Sequence, residues 1–199
     1  MKTGHAEIVF ILDMSGSMGG IKTEAVDNFN RFLREQKEVP GTATMSLILF
    51  NSMVTTWAYD RINLSDMKPL GLEQYRPDNF TPLLDTISDV IDRIGKILND
   101  SKEEERPEKV IFAIMTDGLE NYSHRVTRQQ VFEKITLQEK VYKWNFIFMG
   151  ANQDSFLQAG NLGIKKDLTT NFTADAQGVS NAYTYASSHT RSIRTGDHA

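Results

Sequence analysis

Four short apolar runs punctuate the chain: Ile8–Leu12, Met45–Phe50, Val110–Met115 and Phe146–Met149. Each is β-branched or aromatic in character and none alternates strictly with polar residues, the pattern of strands covered on both faces. Longer amphipathic segments lie between them. From Ile21 to Arg34, Ala25, Phe29, Phe32 and Leu33 recur at helical spacing; from Leu83 to Leu98, Leu84, Ile87, Val90, Ile91, Ile94 and Leu98 do the same. Val131, Ile135 and Val141 mark a third helix and Phe156–Leu162 a short fourth. A last helix is expected over Asp175–His189, with Val179, Ala182, Tyr183 and Ala186 on one side. Met53–Tyr59 follows a strand after only Asn51 and Ser52, and reads as its antiparallel hairpin partner at a sheet edge. The Lys- and Glu-rich stretch Asp100–Pro107 reads as a solvated connection. Strands alternating with helices predict one α/β domain over residues 1–199: a doubly wound, mostly parallel sheet with helices on both faces and one antiparallel edge strand. Its core is expected over about residues 5–165, with a final strand and a C-terminal helix or tail over 166–199.

Composition narrows the class further. A chain of 199 residues is of single-domain length and buries roughly 70% of its unfolded surface, enough to fold without staples. The absence of cysteine excludes a disulfide scaffold, a thiolate metal site and a cysteine nucleophile. With 22 Lys and Arg against 26 Asp and Glu, a net charge of −4 and no basic tract, neither nucleic acid nor an anionic membrane is the expected partner. The first apolar run ends at Asp13, too short for a signal-peptide core or a membrane span, so the expected compartment is the cytoplasm.

Candidate chemistry gathers where strands run into helices, the edge at which open α/β sheets bind ligands. The first such loop, Asp13-Met14-Ser15-Gly16-Ser17-Met18-Gly19-Gly20, sets a carboxylate and two hydroxyls at alternate positions directly after a strand. Asn79-Phe80-Thr81-Pro82 adds a hydroxyl, and Thr116-Asp117-Gly118 ends another strand with a second carboxylate. Each segment also has a plainer reading: Ser15 or Ser17 as a helix cap, Thr81-Pro82 as a cap with a first-turn proline, Asp117-Gly118 as a turn. Met14 and Met18 are expected to pack at the loop's edge. Three oxygen-bearing segments at corresponding strand ends fit one site for a hard dication, Mg2+ with Mn2+ as the alternative; a set without imidazole or thiolate disfavours zinc and copper. Such a lightly charged site would leave room for an anionic oxygen from outside, most simply a carboxylate.

From about Glu7 to Gly163 the chain resembles the von Willebrand factor A (VWA) domain family. The likeness rests on the metal-ion-dependent adhesion site: Asp13-Met14-Ser15-Gly16-Ser17, then Thr81, then Thr116-Asp117-Gly118. Ser46–Asn51, Thr81–Asp85 and Phe148–Asp154 look especially similar to bacterial and phage single-domain members. The resemblance implies a Rossmann-like sheet with a divalent cation at its carboxyl edge. Ser15, Ser17 and Thr81 would bind that cation through hydroxyls, and Asp13 and Asp117 directly or through water. The partner would be a protein presenting Asp or Glu, and the domain would not be an enzyme. Glu120, Asn121 and Tyr122 are expected to shape a rim that selects partners.

Enzymatic readings fare less well. Gly16–Thr23 superficially resembles a phosphate-binding loop, but Ile21 stands where G-x-x-x-x-G-K-[ST] needs glycine. A dehalogenase-type phosphatase also begins with an aspartate after its first strand, yet needs a second acid two residues on, where Ser15 stands. His5, His124, His189 and His198 are scattered and pair with no nucleophile in sequence. A Mg-dependent phosphotransfer or nucleotide-hydrolysing enzyme, and a domain whose metal merely ties loops together, remain the alternatives.

Overall fold

Side chains alternate across a strand, so runs apolar at every position must be covered from both sides. The computed structural model, which describes residues 1–151 and 155–197, has this form. Its strands are β1 (Lys2–Asp13), β2 (Thr42–Phe50), β3 (Thr55–Asn63), β4 (Pro107–Thr116), β5 (Asn145–Ala151) and β6 (Thr169–Phe172). They form one six-stranded sheet in the order β3-β2-β1-β4-β5-β6. Every neighbouring pair is parallel except β2 with β3, the antiparallel edge the hairpin pattern predicts.

The helices are α1 (Lys22–Lys37), α2 (Leu83–Asp100), α3 (Arg128–Tyr142), α4 (Ser155–Asn161) and α5 (Ala176–Thr195). Ile8, Phe10 and Leu12 of β1 face α1 and α5, packing with Phe29, Phe32, Val179 and Tyr183. Val9 and Ile11 face the opposite layer, with Ile87 and Ile91 of α2, Val131 and Ile135 of α3 and Ala159 of α4. Phe10 is the pivot of the first layer: its ring meets Phe29 edge-on at 5.2 Å and Phe32 at 5.3 Å, and stacks on Tyr183 at 5.6 Å. Residues 166–197 add β6 and α5, so this segment completes both the sheet and the first helical layer.

Element limits differ from the pattern where polar side chains are partnered. β1 begins at Lys2 rather than Ile8, because its polar residues find strand neighbours: His5 Nδ1 lies 2.8 Å from Thr42 Oγ1. Glu7, fully buried, accepts from Thr44 Oγ1 at 2.7 Å and pairs with Arg61 Nη2 at 3.0 Å. Val141 does not share the buried face of α3; it is exposed, and only Val131 and Ile135 are buried there. α5 runs past His189 to Thr195, where Gly196 at φ 75° ends it in the left-handed region open to glycine. Its start is capped by Asp175, which accepts from the Gly178 amide at 2.7 Å. Asn152–Asp154 of the family-like stretch, and His198, lie outside the described residues. No helix among the described residues is long and apolar enough to cross a membrane.

Phe10→Ala removes a ring at the centre of three aromatic contacts and is expected to lower stability by about 3–5 kcal/mol. Urea unfolding followed by tryptophan fluorescence measures this; a loss below about 1 kcal/mol would contradict the packing described.

Candidate metal centre

The order of the sheet reverses at β1 and β4: β1 leads through α1 to β2 on one side, while α2 leads to β4 on the other. A crevice opens at such a reversal, above the carboxyl ends of the two strands. Asp13 is the last residue of β1 and Thr116 the last of β4. Asp13 joins them: Oδ2 accepts from Thr116 Oγ1 at 2.6 Å and Oδ1 accepts from the Ser15 amide at 2.7 Å. One residue further along, Ser17 Oγ donates to Asp117 Oδ1 at 2.6 Å, and Ser15 Oγ lies 3.2 Å from Ser17 Oγ. The third segment closes over Gly118, where a Cβ would stand 3.3 Å from Thr81 Oγ1 and 3.5 Å from Ser17 Oγ. Asp13, Ser15, Ser17, Thr81 and Asp117 therefore meet at one place. All but the exposed Ser17 are buried, leaving one side of the cluster open to solvent.

The plainer readings of these hydroxyls do not describe the geometry. Ser15 precedes a 3-10 turn, Gly16–Ile21, but makes no side-chain cap bond. Pro82, not Thr81, occupies the cap position of α2, and no side chain caps the helix from there. Among the described residues no hydrogen bond engages the Thr81 hydroxyl, and although the residue as a whole is buried, that oxygen keeps contact with solvent. A hydroxyl that reaches solvent and spends no bond inside the protein is available to a ligand.

Charge points the same way. Burial pushes the Asp13 carboxyl up to about 6, against the hydrogen bonds from Thr116 and Ser15, and nearby Asp117 adds to the rise. Burial also raises Asp117, only partly offset by Ser17. Two buried carboxylates without a nearby cation favour protons, or a cation, between them. No group of three or more His, Asp or Glu able to hold a metal occurs among the described residues, so any ion here would rest largely on hydroxyl oxygens. Such a donor set, hard and weakly charged, fits Mg2+ or Mn2+.

Several residues that build the site escape a reading of the sequence. Glu120 is half-buried and Asn121 and Tyr122 are exposed, and Glu120 and Asn121 also brace the start of α2. Glu120 accepts from the amides of Leu84, Tyr122 and Ser123, and Asn121 Oδ1 from the Thr81 amide at 2.9 Å. Asp85 answers from the helix: its carboxylate accepts from the amides of His124, Arg125 and Val126 at 3.0–3.3 Å. The loop after β4 thus caps α2, and α2 in turn holds the loop. Beneath the site, the Tyr75 hydroxyl donates to the Asp13 carbonyl. Met14 and Met18 are buried in the core rather than at a loop edge. The capping role of Glu120 and Asp85 depends on a contact some 36–41 residues apart in the chain, for which sequence carries no local signal.

Burial alone would raise the Asp85 carboxyl, but the three loop amides and Arg125 outweigh it and hold the group below its ordinary value. A carboxyl so depressed stabilises the fold above its unfolded pKa, and this contribution is lost as pH falls through the lower folded value. Asp85→Asn should therefore cost about 1–3 kcal/mol at pH 7, with the deficit shrinking below about pH 4. Denaturant unfolding at both pH values tests this; a deficit independent of pH would contradict it.

The topology and the three converging segments define a VWA-like α/β domain. No protein-family model and no curated protein sequence matches the chain. Among solved structures, proximal thread matrix protein 1 from the mussel byssus is similar at a TM-score of 0.65 and 16% identity over 96% of this chain. The same mussel protein with a zinc-occupied MIDAS motif is similar at a TM-score of 0.61 and 13% identity over 94% of this chain. The chain spans 46% of the mussel protein's length in either case. The SpRpn10 VWA domain is similar at a TM-score of 0.56 and 10% identity, over 89% of this chain and 93% of that domain. At these identities the likeness is one of fold.

Proposed function

We propose that this is a non-catalytic, divalent-metal-dependent protein-interaction domain of the cytoplasm. Its site would hold Mg2+, or Mn2+, through the hydroxyls of Ser15, Ser17 and Thr81 with Asp13 and Asp117. The observation that carries this reading is the convergence of the three hydroxyls, none serving as a helix cap, beside two buried carboxylates. A dication bound there supplies a Lewis-acidic position for an oxygen from a partner's Asp or Glu side chain. Asp13 orients the loop through the Ser15 amide and, with Asp117, balances charge; the neutral hydroxyls leave positive character toward the open side at Ser17. The mussel protein's zinc-occupied motif supports a divalent ion at an equivalent edge, while the all-oxygen donors here favour Mg2+ over zinc. A metal that only ties loops has less to do, since Glu120, Asn121 and Asp85 already hold the loop after β4 to α2.

Titration calorimetry of Mg2+ and Mn2+ into chelator-treated protein should give saturable binding that Asp13→Ala and Ser15→Ala abolish. No saturable binding at millimolar metal would sink the site assignment. Turnover of ATP, GTP or a phosphate ester that disappears in Asp13→Ala would overturn the non-catalytic reading.

A further inference from the structure

Between the 3-10 turn Leu64–Asp66 and α2 the chain runs through residues 67–82 without helix or strand. So long an irregular connection is uncommon in a compact domain, and where it is ordered it usually serves a site. This one is ordered by what it touches. Met67, Leu70 and Tyr75 are buried in the layer shared with α1 and α5. Asn30 of α1 grips it: Oδ1 accepts from the Leu70 amide at 2.7 Å, and Nδ2 donates to the Leu70 carbonyl at 2.9 Å.

Beyond Leu70 this strap follows the candidate metal loop closely. The Tyr75 hydroxyl donates to the Asp13 carbonyl, and the Arg76 amide lies 3.3 Å from Met14 Sδ. The Asp78 amide donates to the Met14 carbonyl at 3.0 Å, and the Gly16 amide donates to the Asn79 carbonyl at 3.0 Å. Two residues later the same strap delivers Thr81. Met14 is also tied to β2, its amide donating to the Phe50 carbonyl at 2.7 Å. From Ser15 to Ser17, the Gly16–Asn79 bond is the one backbone tie to another segment among the described residues.

Asn79 makes that bond through the path of its own backbone. Its φ is 63°, in the left-handed region where asparagine is tolerated and a β-branched residue is an outlier. The Asp78 carboxylate steadies the bend, Oδ1 accepting from the Asn79 amide at 2.8 Å. Asn79 is itself exposed, and its side chain engages no hydrogen bond among the described residues. This position therefore contributes a direction of the chain rather than a side-chain contact. We propose that Tyr75 and Asn79 are positioning residues of the metal centre, acting through the backbones of Asp13 and Gly16 to hold Ser15 and Ser17 beside Thr81 before an ion binds. A loop already held in its binding arrangement avoids the ordering cost that otherwise lowers affinity. This inference rests on the metal-dependent reading above and adds the part of the chain that sets the strength of metal binding.

The test titrates Mn2+ into chelator-treated wild type, Tyr75→Phe, Asn79→Val and Asn79→Gly, following free Mn2+ by electron paramagnetic resonance. Tyr75→Phe keeps the buried ring and removes one hydrogen bond, and should weaken Mn2+ binding about three- to tenfold. Asn79→Val should weaken it about tenfold or more, whereas Asn79→Gly, free to adopt the same φ, should retain wild-type affinity. Amide hydrogen exchange of the metal-free proteins gives a readout independent of the ion. The Gly16 and Asp78 amides should exchange faster in Asn79→Val and at the wild-type rate in Asn79→Gly, with β4 equally protected in every protein. Wild-type affinity in both Tyr75→Phe and Asn79→Val, or an equal loss in Asn79→Gly and Asn79→Val, would overturn the proposal. So would a loss of affinity accompanied by faster exchange throughout β4, since the two residues would then support only the fold. If the wild type itself takes up no Mn2+, the metal-dependent reading fails, while the exchange pattern still reports whether the strap positions the loop.

Discussion

Asp13 is a carboxylate with no accessible surface, at the end of the strand where the sheet reverses its order. A buried charge must be partnered, and both its oxygens are: one to the loop that follows β1, the other to the end of β4. That pair of bonds sets the path of the Ser15–Ser17 loop and locks the neighbouring strand end, so Asp117 emerges beside Ser17. The hydrogen bonds do not fully offset burial, and the carboxyl keeps a raised proton affinity. The geometry of the edge follows from satisfying Asp13, and its chemistry from the part left unsatisfied.

The parallel arrangement makes this concentration possible. Strands that all run the same way deliver their carboxyl ends to one edge, and each of the two layers of helices is reached through loops at that edge. α2 is the element that completes the cluster. Its first amides are capped from outside, Leu84 by Glu120 and Asp85 by Ser123 Oγ, which leaves the Thr81 hydroxyl uncommitted, and the Asp85 carboxylate in turn gathers three loop amides. Helix and loop therefore brace each other without drawing on the hydroxyls of the site.

Strands buried on both faces were legible as continuous apolar runs, and α2 as a strong 3.6-residue period, because burial there is nearly uniform. β1 was underestimated at its start because Glu7 and His5 interrupt the run, and only their partners Arg61, Thr44 and Thr42 make them tolerable inside a strand. Val141 lies in α3 as its spacing suggested, yet stands exposed, because the apolar face of this helix is only two buried residues deep. The five candidate residues were visible because they cluster where strands end and helical turns begin, and their order along the chain resembles a known motif. What sequence could not separate was a hydroxyl that caps a helix from one that does not: Thr81-Pro82 reads as a cap in either case. Nor could it show Glu120 and Asn121 bracing the start of α2, since residues that line a rim and residues that also brace a helix are of the same types.

The central claim is that the hydroxyls at this edge are kept for a metal ion rather than for capping helices, and Thr81 discriminates the two most sharply. Thr81→Val keeps the side chain's shape and removes only the hydroxyl. The unfolding midpoint of wild-type protein at pH 7 should rise on adding millimolar Mn2+, as it must when a ligand binds the folded state alone. In Thr81→Val the metal-free midpoint should match or exceed that of the wild type, and the rise with Mn2+ should vanish. A lower metal-free midpoint in the variant, or a rise with Mn2+ equal to that of the wild type, would contradict the account.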